Sequence, residues 1–165
     1  MAITKAKKIE IIEKLKGIFT KTSSVAFVQF NKLTVKNAEN LRRKLREAGM
    51  GYFVAKKSLI RKSLEGVKVS GEFPNLEGEV AVAYLEVGDD VTAPAREVFS
   101  FEKKLEKAVK LIGGIFEGKF IGQVEVLALA SIPSRQTLYA QFANLVNSPI
   151  QRLVIGLSEV AKKKS

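Results

Sequence analysis

Residues 80–87 read VAVAYLEV, an almost continuous apolar run with the length of a strand. Because successive side chains of a strand point to opposite faces, such a run predicts a strand covered on both faces, at the centre of a sheet. On either side of it, strand-like and helix-like patterns alternate along the chain. The sequence therefore predicts an α/β fold: a mixed β-sheet packed with helices, followed by a long projecting C-terminal α-helix.

The remaining elements follow from periodicity, caps and turn residues. Before the central strand we predict a helix from Thr4 to Phe19, a strand at 24–30, a helix from a Thr34 cap through Ala48, a strand at 51–55, a helix at 56–66 and a loop at 67–79. After it we predict a helix capped by Asp89 or Thr92, two short strands around a glycine-rich turn in 109–121, and a helix at 123–132. Pro133 then closes an α/β domain of residues 1–132, and Ser134 caps the last helix within residues 133–165.

Composition excludes several classes of function. The chain has no Cys and no His, which removes the usual zinc ligands and nucleophile triads, and its carboxylates show no metal-loop pattern. The glycine-rich GGIFEG at 113–118 lacks the Lys-Ser/Thr of a P-loop. The N-terminus resembles no secretion signal and no run of eighteen apolar residues occurs, so we expect an intracellular, non-catalytic protein without metal or cofactor.

The net charge of +11 is concentrated in one part of the chain. Residues 1–66 hold 16 Lys and Arg against 5 Glu, whereas the rest of the chain is balanced. A purely solubilising charge would be interspersed. The one-sided distribution favours an anionic partner, nucleic acid before a membrane.

Two groups of basic side chains are candidate phosphate contacts. In the second predicted helix, Leu41 and Leu45 turn one face to the core, and Arg42, Arg43 and Arg46 fan across the flank and back. The other group, at the start of the third predicted helix, comprises Lys56, Lys57, Arg61 and Lys62. A helix N-terminus favours anions, so cations crowded there are unfavourable unless a phosphate binds. An ordinary solvated helix face is the better interpretation for any single Lys, but phosphate contact is favoured for the two groups together.

The last predicted helix contains QTLYAQFANLVNSPIQ at 136–151, sixteen residues without a charge in a chain that is 27% charged. At helical spacing, a broad apolar stripe is formed by Leu138, Tyr139, Phe142, Leu145, Val146, Ile150, Leu153, Val154, Leu157 and Val160. A helix over 134–163 would span about 45 Å, more than the domain is expected to cover, so much of it should project. Pro149 removes one backbone donor and should kink it.

Periodicity alone does not decide which of three surfaces covers this stripe. The helix could pack on its own domain, receive a partner helix along its apolar face, or lie on a membrane surface. The membrane interpretation is the weakest, because Lys162, Lys163 and Lys164 stand at one end of the helix rather than along a polar face. A bare stripe would invite aggregation.

The segment LASIPSRQTLYAQFANLVNSPIQRLV at 129–154 resembles the C-terminal signature of the bacterial large-subunit ribosomal stalk-base proteins, the ribosomal protein ten family. Three further segments match in register: AKKSLIRKSLEG at 55–66, VTAPAREVFSFEKK at 91–104 and KLIGGIFEGK at 110–119. The resemblance therefore covers essentially the whole chain.

The resemblance implies a structural component of the large ribosomal subunit. In that family the α/β domain binds ribosomal RNA at the stalk base, near ribosomal protein eleven, and the C-terminal helix carries dimers of the acidic stalk protein seven/twelve that recruit GTP-bound translation factors. Carried over, the seven basic residues would contact RNA, and the ten stripe residues would bind two dimers, one on each side of Pro149. It also implies a cytoplasmic, ribosome-bound location, without membrane or small-molecule substrate. The alternative is a free-standing RNA- or membrane-surface-binding protein with an amphipathic tail.

Overall fold

The computed structural model describes residues 4–67, 69–71, 74, 76, 78–86, 90–105 and 108–164. Its elements are α1 (Lys5–Lys21), β1 (Ser24–Phe30), α2 (Val35–Glu47), β2 (Met50–Val54), α3 (Lys57–Leu64), β3 (Glu79–Leu85), α4 (Ala93–Lys104), β4 (Val109–Phe116), β5 (Lys119–Ile121), α5 (Gln123–Ala130) and α6 (Arg135–Lys164). The predicted helices and strands are all present, with bounds within one or two residues except that α4 ends at Lys104, before the predicted Ala108, and β4 extends through the predicted glycine turn. Parts of the predicted loop at 67–79, and the predicted cap Asp89, lie outside the described residues.

The five strands form one sheet in the order β2-β3-β1-β4-β5. Strand β3 lies between β1 and β2, antiparallel to both, and β1 likewise lies between β3 and β4. The units β1-α2-β2 and β3-α4-β4 are therefore two interlocked split β-α-β units. The predicted α/β class and long C-terminal helix are confirmed, and β3 is an interior strand as predicted.

The sheet differs from the mixed one that the sequence predicts, because all four strand pairs are antiparallel. The only parallel pairing in the described part of the chain is an isolated bridge between Ser70 and Lys119. Alternating strands and helices suggest parallel neighbours joined by crossovers. Here each crossover instead joins parallel strands that have a third, antiparallel strand inserted between them.

Both faces of the sheet are buried. On one face lies core one, which includes Ala26 and Val28 of β1 and Ala81 and Ala83 of β3. On the other lies core two, which includes Val25 and Phe27 of β1 and Val80 and Val82 of β3. This strict alternation explains why both strands are apolar at consecutive positions.

The helices cover the two faces unequally. Core one is completed by side chains of α2, α4 and α5: Leu41, Leu45, Ala95, Val98, Phe101, Val126 and Ala130. Core two is completed by side chains of α1 and α3: Leu15, Phe19, Ile60 and Leu64. Helices α2 and α3, which carry the two predicted basic groups, therefore lie on opposite faces of the sheet.

The glycine-rich segment GGIFEG at 113–118 folds differently from the predicted turn. The turn lies at Glu117 and Gly118, both at positive φ, while Gly113 and Gly114 belong to β4 and are buried. A β-carbon at Gly113 would stand 2.8 Å from the carbonyl oxygen of Ile121, and one at Gly114 2.6 Å from that of Val25. Glycine at these two positions therefore allows the neighbouring strands to approach β4 closely, next to a register shift between β1 and β4.

Three local signals act as predicted. The Thr34 hydroxyl accepts a hydrogen bond of 3.4 Å from the Asn37 amide at the start of α2. Gly49 follows the end of α2 with φ 71°, the left-handed conformation that glycine adopts without strain. The Ser134 hydroxyl accepts a hydrogen bond of 3.3 Å from the Thr137 amide at the start of α6.

The entrance to α4 is held by Asp90 rather than by a predicted cap. Thr92 precedes the helix, but its side chain makes no capping bond. Instead the Asp90 carboxylate accepts from the Thr92 amide at 3.2 Å, from the Thr92 hydroxyl at 2.8 Å and from Arg96 Nη2 at 2.7 Å. Burial raises the pKa of Asp90, but the hydrogen bonds from Arg96 and Thr92 and the charge of Arg96 outweigh it, leaving the pKa below its ordinary value of 3.8.

The chain divides between Ile132 and Pro133 into two compact units. The first, the α/β unit, holds α1 to α5 and the whole sheet. The second holds α6, a helix of 30 residues that spans about 45 Å. The functions predicted for the two parts of the chain remain predictions.

We expect Asp90→Asn to lower the free energy of unfolding at pH 7 by about 1 kcal/mol, the cost of a lost cap at a partly exposed site. Because the folded-state pKa is depressed, the carboxylate stabilises the fold above the unfolded-state pKa, and this contribution is lost as pH falls through the folded-state pKa. Urea unfolding of both proteins from pH 7 down to about pH 2 measures it.

Glu117→Gln, at the exposed turn, is the matched control and should have little effect at any pH. A destabilisation by Asp90→Asn that is equal at both ends of the pH range would contradict the assignment.

Candidate functional sites

The first basic group, Arg42, Arg43 and Arg46, lies exposed on α2. Leu41 and Leu45 of the same helix are fully buried in core one. The helical spacing thus directs the arginines away from the core, as predicted. Ion pairs within the described residues join Lys14 to Glu10 and Arg96 to Asp90, so these three arginines have no carboxylate partner there.

Two concavities flank these arginines. The first has a volume of about 540 Å³ and is lined by Glu39, Asn40, Arg42, Arg43, Arg46 and Glu47. The second, of about 370 Å³, combines Arg42 and Arg46 with residues of β2 and with Tyr84 and Glu86. Arg42 and Arg46 therefore stand between the two concavities, with their charges available to both.

Tyr52 of β2 lies under Arg42, whose guanidinium carbon is 6.0 Å from the ring centroid. Burial raises the pKa of Tyr52 to about 12, while the charge of Arg42 acts in the opposite direction. The phenol is therefore neutral at physiological pH. Tyr52 packs against core one and its neighbour Phe53 against core two, so both rings contribute to the hydrophobic cores.

The second basic group is exposed at the start of α3 and along it: Lys56, Lys57, Arg61 and Lys62. Lys56 occupies the N-cap position without a side-chain capping bond, and the first turn contains no acidic residue. The positive end of the helix dipole therefore meets the charges of Lys56 and Lys57, whereas Arg61 and Lys62 lie in the last turn, where the dipole favours cations, and not at the helix start as predicted. An anion would relieve this repulsion.

The two groups do not form one continuous surface. Helix α2 covers core one and α3 covers core two, so the groups lie on opposite faces of the sheet. The strand between α2 and α3 along the chain is β2, an edge strand paired on one side with β3. An anionic partner that uses both groups must reach both faces of the sheet.

Three residues at this edge escape prediction from the sequence: Gly51, Tyr84 and Glu86. They come together because β2 pairs with β3 in a register that sets Gly51 opposite Tyr84. Glu86 follows two residues after Tyr84 and accepts a hydrogen bond of 3.1 Å from its hydroxyl. Burial first, and this hydrogen bond second, raise the pKa of Tyr84. No sequence motif indicates the arrangement, since it depends on strand register.

The apolar stripe of α6 is exposed along its whole length. The fractional exposure runs from 42% at Leu138 to 72% at Tyr139, and the other eight stripe residues, Phe142, Leu145, Val146, Ile150, Leu153, Val154, Leu157 and Val160, lie between these values. Ile155, which the predicted stripe omits, is also 56% exposed. Such a continuous apolar surface is typical of an interaction site.

Helix α6 is continuous across Pro149. Because proline has no amide hydrogen, the carbonyl of Leu145 lacks its usual helical donor. The kink expected there remains a prediction.

Neither a metal cluster nor a membrane span is found in the described part of the chain. No three His, Cys, Asp or Glu side chains gather where they could hold a metal ion. Among the same residues, no helix combines the length and the apolar character that crossing a membrane requires.

Comparison with known proteins assigns the chain to a family. The sequence model described as Ribosomal protein L10 matches residues 3–103. The chain belongs to the ribosomal protein L10 family. It is 37% identical over 154 residues to the large ribosomal subunit protein uL10 of Koribacter versatilis (strain Ellin345), covering 93% of this chain and 83% of the relative. It is 35% identical over 155 residues to the uL10 of Bacillus cereus (strain B4264), covering 94% and 89%.

Membership of the L10 family confirms the resemblance stated from the sequence. L10 proteins are structural and non-enzymatic, so the prediction of a protein without catalysis is confirmed. The family also implies the ribosome-associated, cytoplasmic location that was expected. The roles of the individual residues remain predictions.

The different environments of Leu45 and Leu145 predict different effects of the same substitution. Leu45 is fully buried, so Leu45→Ala should lower the free energy of unfolding by about 2–5 kcal/mol. Leu145 is 71% exposed, so Leu145→Ala should change it by less than about 0.5 kcal/mol. Urea unfolding followed by circular dichroism measures both, and a large loss from Leu145→Ala would mean that the stripe is buried in the isolated chain.

Proposed function

We propose that this L10 protein binds large-subunit ribosomal RNA at the stalk base through its α/β unit and carries dimers of the acidic stalk protein seven/twelve on α6. Ribosomal protein eleven would be its neighbour there. The dimers would recruit GTP-bound translation factors during protein synthesis. The observation that carries the proposal is the exposed apolar stripe of α6 in a member of a ribosomal family.

Electrostatics supports the RNA-binding part. The excess positive charge of the chain falls in residues 1–66, where Arg42, Arg43 and Arg46 are exposed without ion-pair partners among the described residues. Guanidinium groups suit phosphate because their planar donors can bind two oxygens at once. A second phosphate contact would be provided along α3 by Lys56, Lys57, Arg61 and Lys62.

The geometry of an ideal helix supports docking by two separate segments. At about 100° per residue, the centre of the apolar stripe before Pro149 and its centre after Pro149 differ by about 55°. The first segment comprises Leu138, Tyr139, Phe142, Leu145 and Val146, and the second Ile150, Leu153, Val154, Leu157 and Val160. Amphipathic partner helices laid on these segments would therefore approach from different directions, which favours one dimer on each.

For RNA binding, we expect Arg43→Glu combined with Arg46→Glu to weaken affinity for a large-subunit ribosomal RNA fragment. Each lost phosphate contact should also reduce the slope of log affinity against log salt concentration by about 0.7–0.9. Filter binding across a salt series measures both quantities. Lys110→Glu combined with Lys119→Glu, at exposed positions of β4 and β5, is the control with the same change in net charge. Affinity unchanged by the arginine substitutions would exclude this face.

For stalk-protein docking, we expect Leu145→Asp and Leu153→Asp each to abolish binding of one dimer and to leave RNA binding intact. A charge placed in the apolar interface would cost its desolvation as well as the lost burial. Native mass spectrometry of co-expressed complexes counts the dimers directly.

Ser158→Asp, away from the stripe, is the control and should retain both dimers. Loss of both dimers from either leucine substitution would refute independent segments. A full-length chain that binds no stalk protein would refute the docking proposal itself.

A further inference from the structure

The concavity of about 370 Å³ beside the edge strand β2, which we call the edge pocket, is lined by Arg42, Arg46, Gly51, Tyr52, Tyr84 and Glu86 among others. A cavity of about 150 Å³ accommodates a benzene ring in other proteins, so the edge pocket has room for a two-ring base. It is open to solvent at the edge of the sheet, where an extended strand can reach it.

The aromatic wall of the edge pocket depends on Gly51. A β-carbon at this position would overlap the ring of Tyr84, its partner across the β2–β3 pair. Only glycine therefore allows the Tyr84 ring to lie against the β2 backbone. Tyr84 packs against core two and also lines the edge pocket, and unpaired bases stack on aromatic side chains of this kind.

Glu86, the acidic residue of the edge pocket, indicates which kind of ligand group the pocket would bind. Glu86 is exposed and lies beside Arg42 and Arg46 in the pocket wall, yet it forms no ion pair within the described residues. One carboxylate oxygen, Oε1, accepts from the Tyr84 hydroxyl, which fixes its position. A carboxylate only accepts hydrogen bonds and repels phosphate, so it would favour a ligand group with donors.

Guanine has the base edge that matches this carboxylate. Its Watson–Crick edge carries two adjacent donors, N1–H and the N2 amino group, which one carboxylate can accept together. Adenine and cytosine each offer an amino donor next to an acceptor nitrogen, and uracil offers a single donor between two carbonyls. The two arginines at the pocket wall suit the phosphates on either side of the base.

We propose that the edge pocket binds an unpaired guanine of an RNA strand, with Glu86 accepting from N1–H and N2–H of the base. Arg42 and Arg46 bind the flanking phosphates, and the Tyr84 ring provides a stacking surface. The proposal rests on the RNA binding proposed above and adds a base preference to it. It also explains why a carboxylate stands among arginines that would otherwise serve phosphate alone.

The test uses the full-length chain and nine-nucleotide single-stranded RNAs, all uridine except for a central guanosine, adenosine, cytidine or inosine. Fluorescence anisotropy at low salt gives each affinity. We expect the guanosine RNA to bind at least about fivefold more tightly than the adenosine RNA, the lower end for a two-bond base contact. Inosine lacks only the N2 amino group and should bind with intermediate affinity.

Glu86→Gln preserves the size of the side chain but replaces one acceptor with a donor. It should remove the preference for guanosine and leave affinity for the other RNAs unchanged or slightly higher. Glu47→Gln is the matched control, because Glu47 lines the neighbouring concavity and not the edge pocket. It should retain the preference.

Each remaining outcome tells against a defined part of the proposal. Equal affinity for all four RNAs, or a guanosine preference that survives Glu86→Gln, would overturn the edge pocket as a guanine site while ribosomal RNA binding stands. Guanosine monophosphate binding as tightly as the guanosine RNA would overturn the role of Arg42 and Arg46 in binding a strand and identify a free nucleotide as the ligand. Failure of the chain to bind any RNA, including large-subunit ribosomal RNA, would overturn the proposed function itself.

Discussion

Burial of both sheet faces is the constraint from which the other features of the α/β unit follow. Val25 and Phe27 enter core two while Ala26 and Val28 enter core one, so β1 has no solvent-facing side in its first half. Helices are then required on both faces, and each must turn its polar side outward. The basic residues of α2 and α3 consequently appear on two opposite surfaces, and edge strand β2 joins the two helices along the chain.

The bounds of most elements could be predicted because their signals are local. A strand buried on both faces produces an unbroken apolar run, as at 80–85, and Thr34 and Gly49 mark the ends of α2 by chemistry that needs no tertiary context. Helix caps were less predictable where a neighbouring residue makes the hydrogen bonds at the helix start. At α4 the bonds come from Asp90, which precedes Thr92 and also reaches Arg96.

Features that depend on contacts between distant segments could not be predicted. The insertion of β3 between β1 and β2 makes the sheet antiparallel, and nothing in the alternation of helices and strands reveals it. Gly113 and Gly114 look like turn residues until the carbonyls of Ile121 and Val25 are found beside them. For the same reason the basic side chains of the candidate site could be named from the sequence, whereas Tyr84 and Glu86 could not.

The placement of the two basic groups determines how their charges act together. The five residues of β2 rise about 17 Å, and the groups are further separated by the sheet. At physiological ionic strength the Debye length is about 8 Å, shorter than the rise of β2, so salt weakens the interaction between the two groups. The positive charge of the two groups is therefore divided between two surfaces rather than forming one diffuse field. The attraction of either group for an anion should therefore fall as the salt concentration rises.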